Sequence, residues 1–414
     1  MAHPALPADF DISDPHRVET GVPLAELAEL RRSAPIWWNA QAPGVGGFDD
    51  GGFWLVSRHA DVREASIKSD VFSTWANTAI VRYGEGMTRE DIEMTRLIML
   101  NVDPPDHTKL RRIVSRGFTP RAIGMLKEAL TDRARRIVAE ALAAGEGDFV
   151  TQVACELPLQ AIAELIGVPQ EDRAKIFEWS NQMISYDDPE FEIDPMVASA
   201  ELIAYAMALS EDRLAAPRDD IVTKLVHADV DGRGLTSDEF AFFVLLLAVA
   251  GNETTRKAIS HGMLGFFAFP DQWEHYRADR PETTADEIIR WATPVMTFQR
   301  TALVDTTLGG VDIAAGQRLG LCYSSANFDP DVFDHPERFD ISRSPNPHVG
   351  FGGGGPHYCL GASLAKVEIN LMFNAIADQM PGIAPSGPAR RLRSGWLNGI
   401  KALPVRYRPA TPTR

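Results

Sequence analysis

A chain of 414 residues with 45% hydrophobic and 24% charged side chains can bury a sizeable core, and its formal net charge of −16 argues against a nucleic-acid binder. Its three cysteines, Cys155, Cys322 and Cys359, lie far apart in sequence, which excludes a disulfide framework and a CxxC zinc knuckle. The first residues show no basic stretch followed by an apolar one, and the longest apolar run, 240–250, is too short to span a bilayer. No signal peptide or membrane anchor is therefore expected, and a cytoplasmic location follows. No linker-like composition or internal repeat divides the chain, so a single domain over 1–414 is expected, with a short N-terminal extension over about residues 1–15.

Apolar residues at helical spacing predict a mainly α protein with a smaller β region. Helices are expected over 18–32, 119–144, 158–166 and 281–291, and strands over 52–56 and within 298–323, where Leu308-Gly309-Gly310-Val311 reads as a tight hairpin turn. His107 and Arg111 follow Pro104-Pro105 at a spacing of four, which puts them on one helix face. With Arg300 they can hold an anionic group, although all three also fit as surface residues. The segment 109–121 holds five basic residues and no acid, as a solvated face or a docking patch for an acidic partner.

Thr236 and Glu239 have the spacing of a capping box just before the apolar run, so a long helix should start there and carry Gly251-Asn252-Glu253-Thr254-Thr255 into the interior. Gly251 and the threonines are expected to loosen that helix and open a groove, where Glu253 beside Thr254 can pass protons. A satisfied polar kink is the plainer alternative. Glu287 and Arg290, three apart, can pair on one helix face, as many surface pairs do. Finally, Phe351-Gly352-Gly353-Gly354-Gly355-Pro356-His357-Tyr358-Cys359 sets one cysteine behind a glycine-rich loop and before a helix from about Ala362. Close backbone N–H groups and the positive helix end favour a thiolate there, the form that binds a metal; a small buried hydrophobe is the other reading.

Taken in order, Ala250-Gly251-Asn252-Glu253-Thr254-Thr255, Glu287-x-x-Arg290, Pro336-Glu337-Arg338-Phe339 and the Cys359 loop resemble the cytochrome P-450 family of haem-thiolate monooxygenases. The resemblance implies a single P-450 fold with a long central helix over haem b, and Cys359 as the axial thiolate that favours O–O cleavage. It further implies Glu253 and Thr254 as the proton-delivery pair, and His107, Arg111, Arg300 and His357 as holders of the haem propionates. Glu287, Arg290 and Arg338 would form an ion network on the thiolate side, and the basic 109–121 region would receive an iron–sulfur or flavin electron donor, a ferredoxin with its reductase being the expected one. Two departures stand out: Phe351 lies eight residues before the Cys where seven is commonest, and Phe328 stands where many bacterial members have Arg.

A narrower resemblance, carried by Ser33-Ala34-Pro35-Ile36-Trp37-Trp38-Asn39, Gly51-Gly52-Phe53-Trp54, 346–351 and 393–401, is to the actinobacterial steroid side-chain monooxygenases. It implies oxidation of the terminal methyl, C26 or C27, of cholesterol or cholest-4-en-3-one with O2. Ile80, Tyr83, Val249, Val295 and Trp396, and with them Val81, Met296 and Phe298, would line an apolar pocket for the side chain. The alternatives are a branched fatty acid or terpenoid substrate, a peroxide-driven haem-thiolate enzyme, a non-catalytic haem or sterol carrier, and a cysteine hydrolase.

Overall fold

The computed structural model describes residues 5–7, 9–191, 194–218, 220–228 and 234–409. Its axis is the helix Ser237–Ala268, 32 residues and so about 48 Å long. The expected capping box starts it: the Glu239 N–H donates to Thr236 Oγ1 at 3.1 Å and the Thr236 N–H to Glu239 Oε2 at 2.9 Å. The helix is apolar nearly all round because it is enclosed, by the helices Glu156–Ile166, Arg173–Ile184, Pro195–Ala215, Thr284–Ala292 and Ala362–Gln379. The main core lies among these helices and Pro120–Ala144, which Thr119 caps by accepting from the Ala122 N–H at 3.2 Å.

Beside this body lies a five-stranded sheet in the order Ile36–Ala40, Gly52–Val56, Arg318–Cys322, Thr297–Ala302, Phe72–Ser73. Gly52–Val56 runs parallel to Arg318–Cys322 with Trp54 opposite Leu319, and the other pairings are antiparallel. The two-residue hairpin falls where expected, Leu308 pairing with Val311 while Gly309 and Gly310 take φ of 52° and 82°, angles open to glycine.

Two expectations fail. The predicted helix 18–32 is two, Pro15–Glu19 and Leu24–Ser33, because Gly21 turns at φ 125° and Pro23 follows. Strands also occur outside the two expected regions, at Ile36–Ala40 and Phe72–Ser73 and in short pairs at 146–148, 384–385, 390–391, 400–402 and 404–406. The short ones leave too few residues for a period-two signal. Near the N-terminus, Leu6, Phe10 and Ile12 are buried in a cluster with Leu392 and Trp396, so the described part of that segment is packed against the fold.

Candidate active site

Between the long helix and the Cys359 loop lies a cavity of about 510 Å³. The loop reaches it through Gly352, Gly354 and Gly355 at φ 97°, 98° and 74°. A side chain at Gly355 would strike the Ser66 carbonyl oxygen at 2.5 Å, so the helix His59–Ile67 backs the loop directly. The loop closes on itself where the Cys359 N–H donates to the Phe351 carbonyl at 2.9 Å, which accommodates the longer spacing between these two residues. Cys359 sits deep in the protein, yet its side chain is open to the cavity. Burial pushes its thiol up, opposed by the Gly361 N–H, the Arg111 guanidinium and the Ala362 N–H. The two N–H groups and Arg111 act towards the anion, the direction the loop reading expected, and a metal ion bound to the sulfur would add to it.

The rim of the cavity is cationic. His107 and Arg111 share a face of the helix Asp106–Val114, as their spacing predicts, and Arg300 enters from the strand Thr297–Ala302. Strand alternation puts Phe298 on the same side. The His107 and His357 rings lie 4.3 Å apart, and His357 Nε2 is 3.3 Å from Thr74 Oγ1. Among the described residues no carboxylate pairs with Arg111 or Arg300; the Arg300 Nη1 donates to the Gln299 carbonyl at 2.7 Å. His107 Nδ1 is buried without a partner. Burial, with the Arg111 and Arg300 charges, lowers the His107 pKa to about 4. Two guanidiniums and two imidazoles left short of anions, facing a cavity with a thiol at its floor, are the complement of a flat dianionic iron chelate such as haem.

The opposite wall is the long helix. Thr254 Oγ1 donates to the Ala250 carbonyl at 2.6 Å, the back-bond that a helical threonine favours. Glu253 is 1% exposed and engaged by Arg256 and by Lys257 Nζ at 2.7 Å. Its burial is outweighed by these two cations, which hold its pKa below the ordinary value, while burial brings Lys257 down to about 8. Gly251 lines the cavity with Thr254 and Thr255, where a groove was expected, and it also faces a neighbouring helix. A Cβ there would run into the Ile162 side chain, so this glycine lets the helix Glu156–Ile166 approach closely.

Glu287 and Arg290 are fully buried and bidentate, Nε to Oε2 at 2.7 Å and Nη2 to Oε1 at 2.8 Å. Arg338 does not join them. Its guanidinium is on the surface with Asp271 at 3.0 Å, and only its backbone carbonyl accepts from Arg290 Nη2. The second cation is Arg343, whose Nε donates to Glu287 Oε2 at 3.2 Å. The chain turns after Arg338 so that the later arginine points inward, and no spacing in the sequence marks it. Phe328 lies 5.2 Å from the Arg290 guanidinium, covering it with a ring face.

Of the expected pocket residues, Ile80, Tyr83, Val249, Val295, Phe298 and Trp396 line the cavity. Val81 and Met296 do not; they are 0% and 1% exposed and belong to the packed interior. Sequence reasoning missed Met87, Met183 and Leu246 in the same wall, because cavity-facing and core-facing apolar residues share one pattern.

A family model described as Cytochrome P450 matches residues 282–377. The chain is 62% identical over 411 residues to a protein of Rhodococcus jostii named Steroid C26-monooxygenase, covering 99% of this chain and 87% of that one. It is 42% identical over 393 residues to a protein of Mycobacterium tuberculosis named Methyl-branched lipid omega-hydroxylase, covering 92% of this chain and 90% of that one. Among solved structures, a Mycobacterium marinum cytochrome P450 in complex with pseudoionone superposes with a TM-score of 0.86 at 38% identity, covering 92% of this chain and 94% of that one. The thiol-floored, cation-rimmed cavity and these full-length likenesses agree: the chain is a haem-thiolate monooxygenase belonging to the cytochrome P450 family.

Proposed function

We propose that this chain hydroxylates the terminal methyl, C26 or C27, of a steroid side chain such as that of cholesterol or cholest-4-en-3-one. The observation that carries the reading is the 62% identity, over nearly the whole chain, to a protein named Steroid C26-monooxygenase. The apolar wall of Ile80, Tyr83, Val249, Val295, Phe298 and Trp396 supports it, since each buried CH₂ of a hydrocarbon tail contributes about 0.8 kcal/mol. A primary C–H is stronger than the tertiary ones beside it, so terminal selectivity is a matter of holding the tail end-on, the task of those side chains.

Haem bound here supplies activation of O2 with two electrons from a donor. In our reading Cys359 is its thiolate ligand, and His107, Arg111, Arg300 and His357 neutralise its propionates. Thr254 orients a proton donor at the oxygen side and Glu253 feeds it when one of its two ion pairs opens. Glu287, Arg290 and Arg343 pin the polypeptide behind the thiolate. Lys109, Arg112, Arg116 and Arg121, all on the surface, suit an acidic ferredoxin that is reduced by a ferredoxin reductase. We read the chain as one domain over 1–414 working in the cytoplasm; among the described residues no helix is long and apolar enough to cross a membrane.

The test is an optical titration of the ferric protein with cholest-4-en-3-one, followed by turnover with NADH, ferredoxin and reductase and identification of the product. A saturable low-spin to high-spin shift and a terminal alcohol are expected. A response to methyl-branched lipids alone would replace the steroid reading with the one that the 42% likeness favours. Turnover with peroxide but not with the ferredoxin system would overturn the assignment of the electron donor.

A further inference from the structure

Trp396 stacks on Phe298 at 6.0 Å in the cavity wall, and its carbonyl accepts from the Met296 N–H at 2.8 Å. Residues 392–395, just before it, belong to no strand, so their N–H groups need other partners. Arg393 and Gly395 donate theirs to the Asp188 and Asp187 carboxylates at 3.1 and 3.0 Å. The same stretch is also covered by residues 13–16, from the other end of the chain. A Cβ on Gly395 would collide with the Ser13 carbonyl oxygen, and His16 Nε2 accepts from Arg393 Nη2 at 2.6 Å. Gly395 has no positive φ, so the close approach of Ser13 and of the Arg82 side chain is what requires a glycine. Ser13 is itself pinned. Asp11 Oδ1 accepts from the Ser13 N–H at 2.9 Å, the Ser13 hydroxyl at 2.8 Å and Asn39 Nδ2 at 2.7 Å, while Asn39 Oδ1 accepts from the Ile12 N–H at 3.0 Å. Ser13 and Asn39 are fully buried, and Phe10 and Ile12 sit in the apolar cluster that holds Trp396. Apolar packing alone leaves a segment free to slide; these buried polar bonds give it one register.

We propose that the segment 10–16 sets the position of Trp396 and thereby the terminal selectivity of the hydroxylation, with Asp11 as the positioning residue that fixes it. The inference rests on the terminal-hydroxylase reading above. Neither Asp11 nor Ser13 lines the cavity, so both act through Gly395 and the indole that follows it. The side chain of a steroid carries a tertiary C–H one carbon before its terminal methyls, and that bond is the weaker. A wall displaced by about 1 Å brings the tertiary carbon to the reacting centre and forfeits the advantage that end-on holding gives the primary one.

The experiment compares Asp11→Ala, Asp11→Asn and Phe10→Ala with the wild-type holoenzyme. Two quantities are read: the ratio of primary to tertiary alcohol formed from cholest-4-en-3-one, and hydrogen exchange of the 393–396 amides in the substrate-free protein. D11A should keep the thiolate-type carbon monoxide spectrum, exchange those amides about tenfold faster, and lower the ratio about tenfold. D11N keeps an acceptor oxygen and should restore most of both. Trp396→Ala should lower the ratio by itself, and adding D11A to it should change nothing more. A wild-type ratio in D11A and F10A, or a further fall in the double variant, would overturn the inference. Should D11A not fold, Phe10→Ala decides alone, and an unchanged ratio refutes the proposal. An iso-branched fatty acid has the same tertiary carbon beside its terminal methyls, so the ratio can be read on it if the steroid does not turn over, and failure of the steroid reading leaves the test intact.

Discussion

Arg343→Met set beside Arg338→Met separates the network that the sequence suggested from the one that the fold builds. In the structure Arg343 is 8% exposed and gives Nε to Glu287 Oε2, Nη1 to the Asp334 carbonyl at 2.7 Å, and Nη2 to the His335 and Arg338 carbonyls at 3.2 and 3.1 Å. Methionine fills much of the same volume and makes none of these bonds. Three carbonyls then lose a charged donor, and fully buried Glu287 keeps only Arg290, Asn346 and the Asp340 N–H. The Arg338 carbonyl keeps Arg290 Nη2, so at about 1 kcal/mol for each of the other two carbonyls, plus about 1 kcal/mol for the weakened carboxylate, the loss is about 3 kcal/mol, the low end of the range for breaking a buried ion pair. That is more than about a hundredfold in the folding equilibrium. Arg338 shares an exposed pair with Asp271, so its replacement should stay within about 0.5 kcal/mol. Urea unfolding of both haem-loaded variants, followed by far-UV circular dichroism and Soret absorbance, reads the difference. Equal midpoints for the two variants, or an unchanged Arg343→Met, would refute the reasoning.

Cys359→Ala should abolish the thiolate-type carbon monoxide spectrum while the fold, read by circular dichroism, persists; a variant that retained that spectrum would sink the ligand assignment. Thr254→Ala should keep steroid-induced spin shift and carbon monoxide spectrum but divert reducing equivalents to peroxide, measured as product per NADH; full coupling would exclude Thr254 from proton delivery. His261, buried in the long helix with its pKa lowered to about 3 by burial first and Arg391 second, folds as the neutral ring. The unfolded chain binds a proton there below about pH 6.5, so the fold should lose about 1.4 kcal/mol per pH unit from this group on acidification from that pH towards 3. His261→Gln should remove that slope, as seen in urea midpoints at several pH values, and an unaltered slope would refute it.

Much of the site was legible because its chemistry is local in sequence. The Thr236–Glu239 box, the His107–Arg111 spacing and the glycines before Cys359 each describe one helix end, one helix face or one turn, and each falls as read. Gly251 lines the cavity where a groove was expected, but that a side chain there would meet Ile162 depends on a helix distant in sequence.

By itself, then, the sequence determined the helical body, the central helix and its start, the loop that presents Cys359, and the His107, Arg111 and Arg300 cluster at the cavity. Only the tertiary structure decided that Arg343 and not Arg338 completes the buried network, that Val81 and Met296 are core while Ile80 and Val295 face the cavity, and that Glu253 is clamped between Arg256 and Lys257. The reason is physical. Spacing along the chain fixes which side chains share a face, but whether that face meets a cavity, a counter-charge or another helix depends on elements distant in sequence, and those contacts set burial, pairing and charge state.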